Sequence, residues 1–192
     1  EAHVAYETNH PEDKQGKYII NTALLSRQRS LDLCALCHGG RLQKSKPSFE
    51  FVAGDTLSDF FVKNEAAPNT KEIDVHGNQL GLLEESKCFL NSATMTCITC
   101  HDNHSYNRGN EKLYSQKCMT CHHIEHGNFC QTTSLGASAL QSNCIDCHMP
   151  KQPSMSVALL LPGDRVPTAT LIHTHYIKVY PDETNKFLKR KK

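Results

Sequence analysis

The chain has 192 residues, ten cysteines, twelve histidines and no tryptophan, and its mean hydropathy is −0.51. That length fits one domain, but the modest apolar content makes a normal side-chain core hard to build, so something besides packing is expected to hold it together. A formal charge of +1 gives no electrostatic reason for nucleic-acid binding, and residues 157–161, the longest strongly apolar run, fall far short of the roughly 20 residues of a membrane-spanning helix.

In chain order, residues 1–33 lead in, with a helical stretch expected around 22–33. The chain opens at Glu1 without methionine or an apolar signal region, as expected if a leader has been removed or the chain belongs to something longer. Cys34-Ala35-Leu36-Cys37-His38 follows. Residues 39–87 form a long insert in which Phe49, Phe51, Phe60 and Phe61 are candidates for a small core or for packing on a flat ligand. Residues 88–150 then hold three further copies of the first pattern: Cys97-Ile98-Thr99-Cys100-His101, Cys118-Met119-Thr120-Cys121-His122 and Cys144-Ile145-Asp146-Cys147-His148.

Residues 155–161 are apolar, residues 161–164 carry a Pro-Gly turn signal, and residues 169–180 alternate as a strand. Its predicted apolar face carries Ala169, Leu171, His173, His175, Ile177 and Val179. The basic end, from Lys186 to Lys192, reads as a solvated tail or as a dock for an acidic partner.

Each of the four copies is the Cys-x-x-Cys-His signature of covalent haem attachment. Two thiols one helical turn apart meet the two vinyl groups of one porphyrin, and the next residue places an imidazole under the iron, where histidine is the usual proximal ligand. A Cys₄ zinc ribbon and thioredoxin-like dithiols also use paired cysteines, but neither explains a histidine after every second cysteine. At this histidine content, four such coincidences have odds on the order of one in tens of thousands. Four haem c groups are therefore expected, held by Cys34, Cys37, Cys97, Cys100, Cys118, Cys121, Cys144 and Cys147, with His38, His101, His122 and His148 on the irons. Attachment of this kind places the protein outside the cytoplasm, in the periplasm or the extracellular space. Cys88 and Cys130 remain, either as a disulfide contributing about 4 kcal/mol by the chain-entropy model or as two separate buried thiols.

Eight further histidines are candidates for the second axial positions. His104 lies three residues after His101, one turn on if the motif continues as a helix, where it reaches a neighbouring haem. His126 stands four residues after His122. His123 points about 100° away from His122 around a helix and reads equally well as a surface residue. On the C-terminal strand one of the two inward histidines is expected to meet an iron, because an unpaired imidazole on an apolar face is costly. His175 is favoured over His173. His76 is the candidate ahead of the second motif, while His3 and His10 suit solvent, a haem of this chain or a haem of another copy.

With these residues in view, the chain resembles multihaem cytochromes of the cytochrome c-554-like group. The stretch from His76 through Ser86-Lys87-Cys88, Met95-Thr96-Cys97, Cys100-His101-Asp102-Asn103-His104 and Cys147-His148-Met149-Pro150 carries the resemblance, with residues 33–38 and 10–13 in support. It implies that His104 serves a neighbouring haem and that His76, His126 and His175 are distal ligands. It also implies that further motifs can precede a segment similar to Ala2-His3-Val4, so that residues 1–192 are expected to be a single tetrahaem domain, either a fragment or a processed product of a longer multihaem protein. The chain is also similar to the tetrahaem subunits of extracellular cytochrome filaments, in which a neighbouring subunit lends a ligand.

The expected fold is mostly irregular, with short α-helices wrapped around a haem core and a small C-terminal β-hairpin or strand. The expected function is electron transfer through bis-histidine haems to other redox proteins or along copies of the chain itself, not an enzymatic one. The alternative is a reductase acting on a small nitrogen or sulfur species, which needs one iron with an open position.

Overall fold

The structure is a computed structural model that describes residues 1–47, 49–63, 73–132 and 135–190, with the His126 side chain also outside the description. Among the described residues there are eight short helices and two small antiparallel sheets, the mixed, largely irregular architecture expected.

Helix α1 (Ala2–Asn9) buries none of its residues. The first expected helix is split by a 3₁₀ turn at Thr22–Leu24, after which α2 (Arg27–His38) begins at Ser26, whose hydroxyl accepts from the Arg29 N–H. It carries the whole first motif and buries Leu31 and Ala35. Strands β1 (Leu42–Lys44) and β2 (Phe61–Lys63) pair antiparallel. Between them Leu57 is buried, and its N–H reaches the Asp32 carboxylate on α2. Helices α3 (Gln79–Glu84) and α4 (Lys87–Leu90) complete a core of Leu31, Ala35, Leu57, Leu80, Leu83 and Phe89. Of the four phenylalanines expected there, Phe51 and Phe61 border this core, Phe60 meets Phe51 edge-on, and Phe49 is wholly exposed.

Helix α5 (Glu111–Cys118) ends on the first cysteine of the third motif, α6 (Ala137–Ser142) precedes the fourth, and α7 (Cys144–His148) spans the fourth. Strands β3 (Lys151–Leu159) and β4 (Thr168–His173) form the expected hairpin, with a register shift between Pro153 and Ala158. The strand is shorter than its alternation predicts. It ends at His173: the Thr174 N–H still meets the in-register Pro150 carbonyl, but beyond it the Tyr176 N–H turns to the Thr174 hydroxyl and the Ile177 N–H to the Ser86 hydroxyl. The predicted apolar face also fails, since Leu171 and Val179 are exposed whereas Thr174 is buried.

The basic end is ordered as α8 (Pro181–Arg190) as far as it is described. Proline opens the helix, Asp182 and Glu183 lie in its first turn, and Lys189 and Arg190 lie in its last, matching the helix dipole. Buried Phe187 anchors it, and α8 packs on α7. No helix among the described residues is long and apolar enough to cross a membrane.

The surface is large for the mass. The chain exposes 13583 Å², whereas a compact monomer of 21.5 kDa exposes roughly 9,200 Å². Few side chains are buried, and none of the motif cysteines or histidines is among them.

Candidate haem-attachment site

Every motif makes one helical turn, so Cys i, Cys i+3 and His i+4 share a side. The first and fourth lie within α2 and α7. In the second, the N–H groups of Cys100 and His101 bond to the Cys97 carbonyl at 3.2 and 2.9 Å, and in the third those of Cys121 and His122 bond to the Cys118 carbonyl at 3.2 and 2.9 Å.

The motifs adjoin one another. The thiols of Cys34 and Cys97, from the first and second, meet directly: hydrogen bonding from Cys97 holds Cys34 down to about 7 and pushes Cys97 up. Cys118 and Cys144, from the third and fourth, do the same, with Cys144 held down to about 7. Cys100 lies within electrostatic reach of Cys118 and Cys121 and links the second motif to the third. The four sites thus follow one another in space as they do in sequence.

Two motif imidazoles are held by their Nδ1 atoms. His122 Nδ1 donates to the Asn128 carbonyl at 2.8 Å and His148 Nδ1 to the Lys178 carbonyl at 2.9 Å. A carbonyl only accepts, so the proton sits on Nδ1 and the lone pair on Nε2, the arrangement that prepares an imidazole for a metal. Asn128 fixes this loop further, its amide donating to the Cys121 carbonyl at 2.8 Å and accepting from the His123 N–H at 3.0 Å. The His123 ring reaches the Thr120 carbonyl at 3.1 Å, a structural placement.

His101 has a different partner. Its ring centroid lies 5.9 Å from that of His175, with the planes 23° apart, too far for face-to-face contact. Two imidazoles on opposite sides of one metal, each at a metal–nitrogen distance of about 2.0 Å, have centroids roughly 6 Å apart. His175 is half-buried, and its Nδ1 is buried without a hydrogen-bond partner. Burial and then the charge of His101 push its pKa down to about 4, which keeps the ring neutral, the ligating form. His173 is occupied at both nitrogens, Nδ1 against the Met149 carbonyl and Nε2 at 3.2 Å from Glu111. Of the two, His175 has the unmet nitrogen.

His76 is exposed on a turn fixed by Asp74, whose carboxylate accepts from the N–H groups of His76 at 3.2 Å and Met155 at 3.0 Å and from the Ser154 hydroxyl at 3.3 Å. The next residue's carbonyl, that of Gly77, accepts from the Gly40 N–H at 2.8 Å, which sets this turn beside the first motif. Gly40 has φ +82°, and a Cβ there would lie 2.9 Å from the Asn78 amide, so glycine permits the approach.

His104 does not extend a helix. The second motif is a 3₁₀ turn at Cys97–Thr99, and Asp102 then closes a turn by accepting from the His104 N–H at 2.9 Å and the Ser105 hydroxyl at 2.5 Å. Such side-chain bonds compete with helix continuation, and the His104 ring is left exposed. The His126 backbone forms part of the 3₁₀ turn Ile124–His126, while the ring lies outside the described residues.

Cys88 and Cys130, read as either a bridge or two separate buried thiols, are both free, Cys88 partly buried and Cys130 exposed. Cys88 neighbours Cys121, and Cys130 lies near Cys147. No group of three or more His, Cys, Asp or Glu among the described residues is placed to hold a metal ion by itself, so the paired cysteines do not assemble a Cys₄ cluster there.

The residues fit the haem reading on three structural observations: four Cys-x-x-Cys-His turns none of whose cysteines or histidines is buried, an imidazole pair at metal-spanning distance, and an orphaned buried nitrogen on one member of that pair. The sequence motifs missed the supporting groups Asn128 and Asp74, neither of which has a local signature. Comparison with protein-family models, curated proteins and solved structures finds no match.

Proposed function

We propose that this chain is a tetrahaem c-type cytochrome whose task is to pass electrons along its haems, outside the cytoplasm. The observation that carries this reading is the contiguity of the four motifs in sequence order, through Cys34 with Cys97, Cys100 with Cys118, and Cys118 with Cys144. Haem bound at such sites supplies one-electron redox chemistry at each iron. The chain's own part is to fix spacing and ligand field. The eight motif cysteines tether. His38, His101, His122 and His148 are the proximal imidazoles, and the carbonyls of Asn128 and Lys178 orient two of them. His175 is the sixth ligand opposite His101, and His76 stands beside the first motif for the same role. His104 and His126 complete the proposed distal set. An iron ligated on both sides has no site for a substrate, which favours electron transfer over catalysis.

A second reading, polymerisation with copies of itself into an extracellular filament, is favoured by His3. Its Nδ1 lies 2.8 Å from the Lys17 carbonyl, repeating the arrangement at His122 and His148. Yet it sits on α1, which buries nothing in this chain.

The test is to express the chain in a host with a c-type maturation system, count haems by pyridine haemochrome and intact mass, and follow a potentiometric titration with EPR. Four low-spin haems titrating in four one-electron steps are expected. A chain without covalent haem would end the proposal, and a high-spin iron that binds CO would shift it to the reductase alternative. Electron microscopy of native protein decides the second reading, with ordered fibres expected from it and discrete particles against it.

A further inference from the structure

Ser86 is fully buried, at 0% exposure, and its hydroxyl holds the chain on both sides of His175. Its Oγ donates to the His175 carbonyl at 2.9 Å and accepts from the Ile177 N–H at 2.8 Å. A serine hydroxyl has one proton. The Leu82 carbonyl, at 3.4 Å, is a poorer acceptor than that of His175, so the proton goes to His175. Ser86 immediately precedes α4, which contributes Phe89 to the core, while His175 lies 89 residues later, just past the end of β4. The β3–β4 register carries no further than Thr174, so residues 175–177 have no ladder partner among the described residues. Its bonds are mostly side-chain ones, from Ser86, from the Thr174 hydroxyl to the Tyr176 N–H at 3.1 Å and from the Tyr180 hydroxyl to the Tyr176 carbonyl at 2.7 Å, bracketed by the backbone bonds of Thr174 N–H to the Pro150 carbonyl at 3.2 Å and Lys178 N–H to the His148 carbonyl at 3.4 Å.

We infer that Ser86 is the positioning residue for the His175 imidazole, clamping the backbone at residues 175 and 177 so that the ring stays opposite His101. This rests on the haem reading above and goes beyond it by assigning a role to a residue that touches no iron. An imidazole on an irregular segment samples many orientations unless its backbone is pinned. Here one buried hydroxyl satisfies a carbonyl and an N–H two residues apart, and both would be left unpaired without it. The local energetics thus favour the single backbone geometry that presents the ring to His101.

The test compares the holoprotein with Ser86→Ala and Ser86→Thr, the latter keeping the hydroxyl. For Ser86→Ala the expected result is an unchanged covalent haem count with an altered EPR or resonance Raman signature at one iron in four. The Ile177 amide should exchange at least about tenfold faster, and Ser86→Thr should restore the native signature. Four unaltered low-spin haems and an unchanged Ile177 exchange rate in Ser86→Ala would overturn the proposal. Should Ser86→Ala fail to fold, exchange in the wild-type holoprotein decides: an Ile177 amide protected like the core supports the clamp, and one exchanging like an open loop refutes it. Absence of covalent haem from the wild-type chain is a separate result and counts against the haem reading instead.

Discussion

Replacing His175 with leucine separates a ligand from a bystander by the sign of the stability change. The native imidazole keeps Nδ1 buried with no hydrogen-bond partner, and an unsatisfied polar atom of this kind costs about 1–3 kcal/mol. Leucine is of similar size and carries no polar atom. If His175 did no more than fill space, His175→Leu would be neutral or would stabilise by up to that amount. At about 2–4 °C per kcal/mol for a chain of this length, the midpoint would rise by as much as about 10 °C. If His175 holds an iron opposite His101, the exchange removes a metal bond and leaves a five-coordinate haem. The expected outcome is a lower denaturation midpoint together with a high-spin signal from one haem of four. Denaturant unfolding followed by circular dichroism reads the first, and EPR at low temperature reads the second. A His175→Leu holoprotein that is as stable as wild type, with four low-spin haems, would refute the assignment and return the 5.9 Å imidazole pair to ordinary packing.

Other consequences are simpler. His173→Gln should cost about 1–3 kcal/mol in denaturant unfolding, through the lost Met149 and Glu111 partners, while every haem keeps its spin state by EPR. Asp74→Ala removes the acceptor shared by His76, Ser154 and Met155. Because the site is only half-buried, water recovers part of the loss. A net cost of about 2 kcal/mol should lower the midpoint by about 4–8 °C in a thermal melt. Alkylation of the denatured holoprotein without reductant should label two thiols, Cys88 and Cys130, since both are free; mass spectrometry finding none would show them bridged.

The motif turns were legible because their determinants are local. Cys i, Cys i+3 and His i+4 need only one turn of backbone to share a side, and all four copies have that turn. The C-terminal hairpin was legible for the same reason, from an apolar run, a Pro-Gly turn and an alternating run. What alternation could not show is where a strand stops. Residues 174–177 keep the alternating pattern, yet Thr174 and Ser86 supply side-chain bonds that replace the ladder, and the second of these comes from 89 residues away. Whether His104 lies one helical turn beyond His101 depended on the helix continuing through the second motif, and Asp102, whose carboxylate holds a turn instead, carries no periodicity that would show it. Choosing between His173 and His175 required partners from α5 and the residues following α7, which no periodicity encodes.

The arrangement of the motifs also bears on what the chain lacks as a core. Its best-formed apolar cluster lies around α2, α3 and α4, flanking the first two motifs only. Helix α6, near the last two, buries none of its residues, while α5 buries Ser115 alone and α7 buries Ile145. So little burial does not offset the conformational entropy of ordering a segment that runs from Glu111 to His148. The surface excess over a compact monomer, roughly 4,000 Å² by the same scaling, therefore has a natural reading under the proposed function. Apolar porphyrin faces tethered to the motif turns would cover that surface and supply the missing burial, most of all between the second and fourth motifs. On this reading the order in which haems are attached and the order in which the chain becomes ordered are coupled. Removing the third site with Cys118→Ala and Cys121→Ala should then disorder residues 111–148 while leaving the α2–α4 cluster folded.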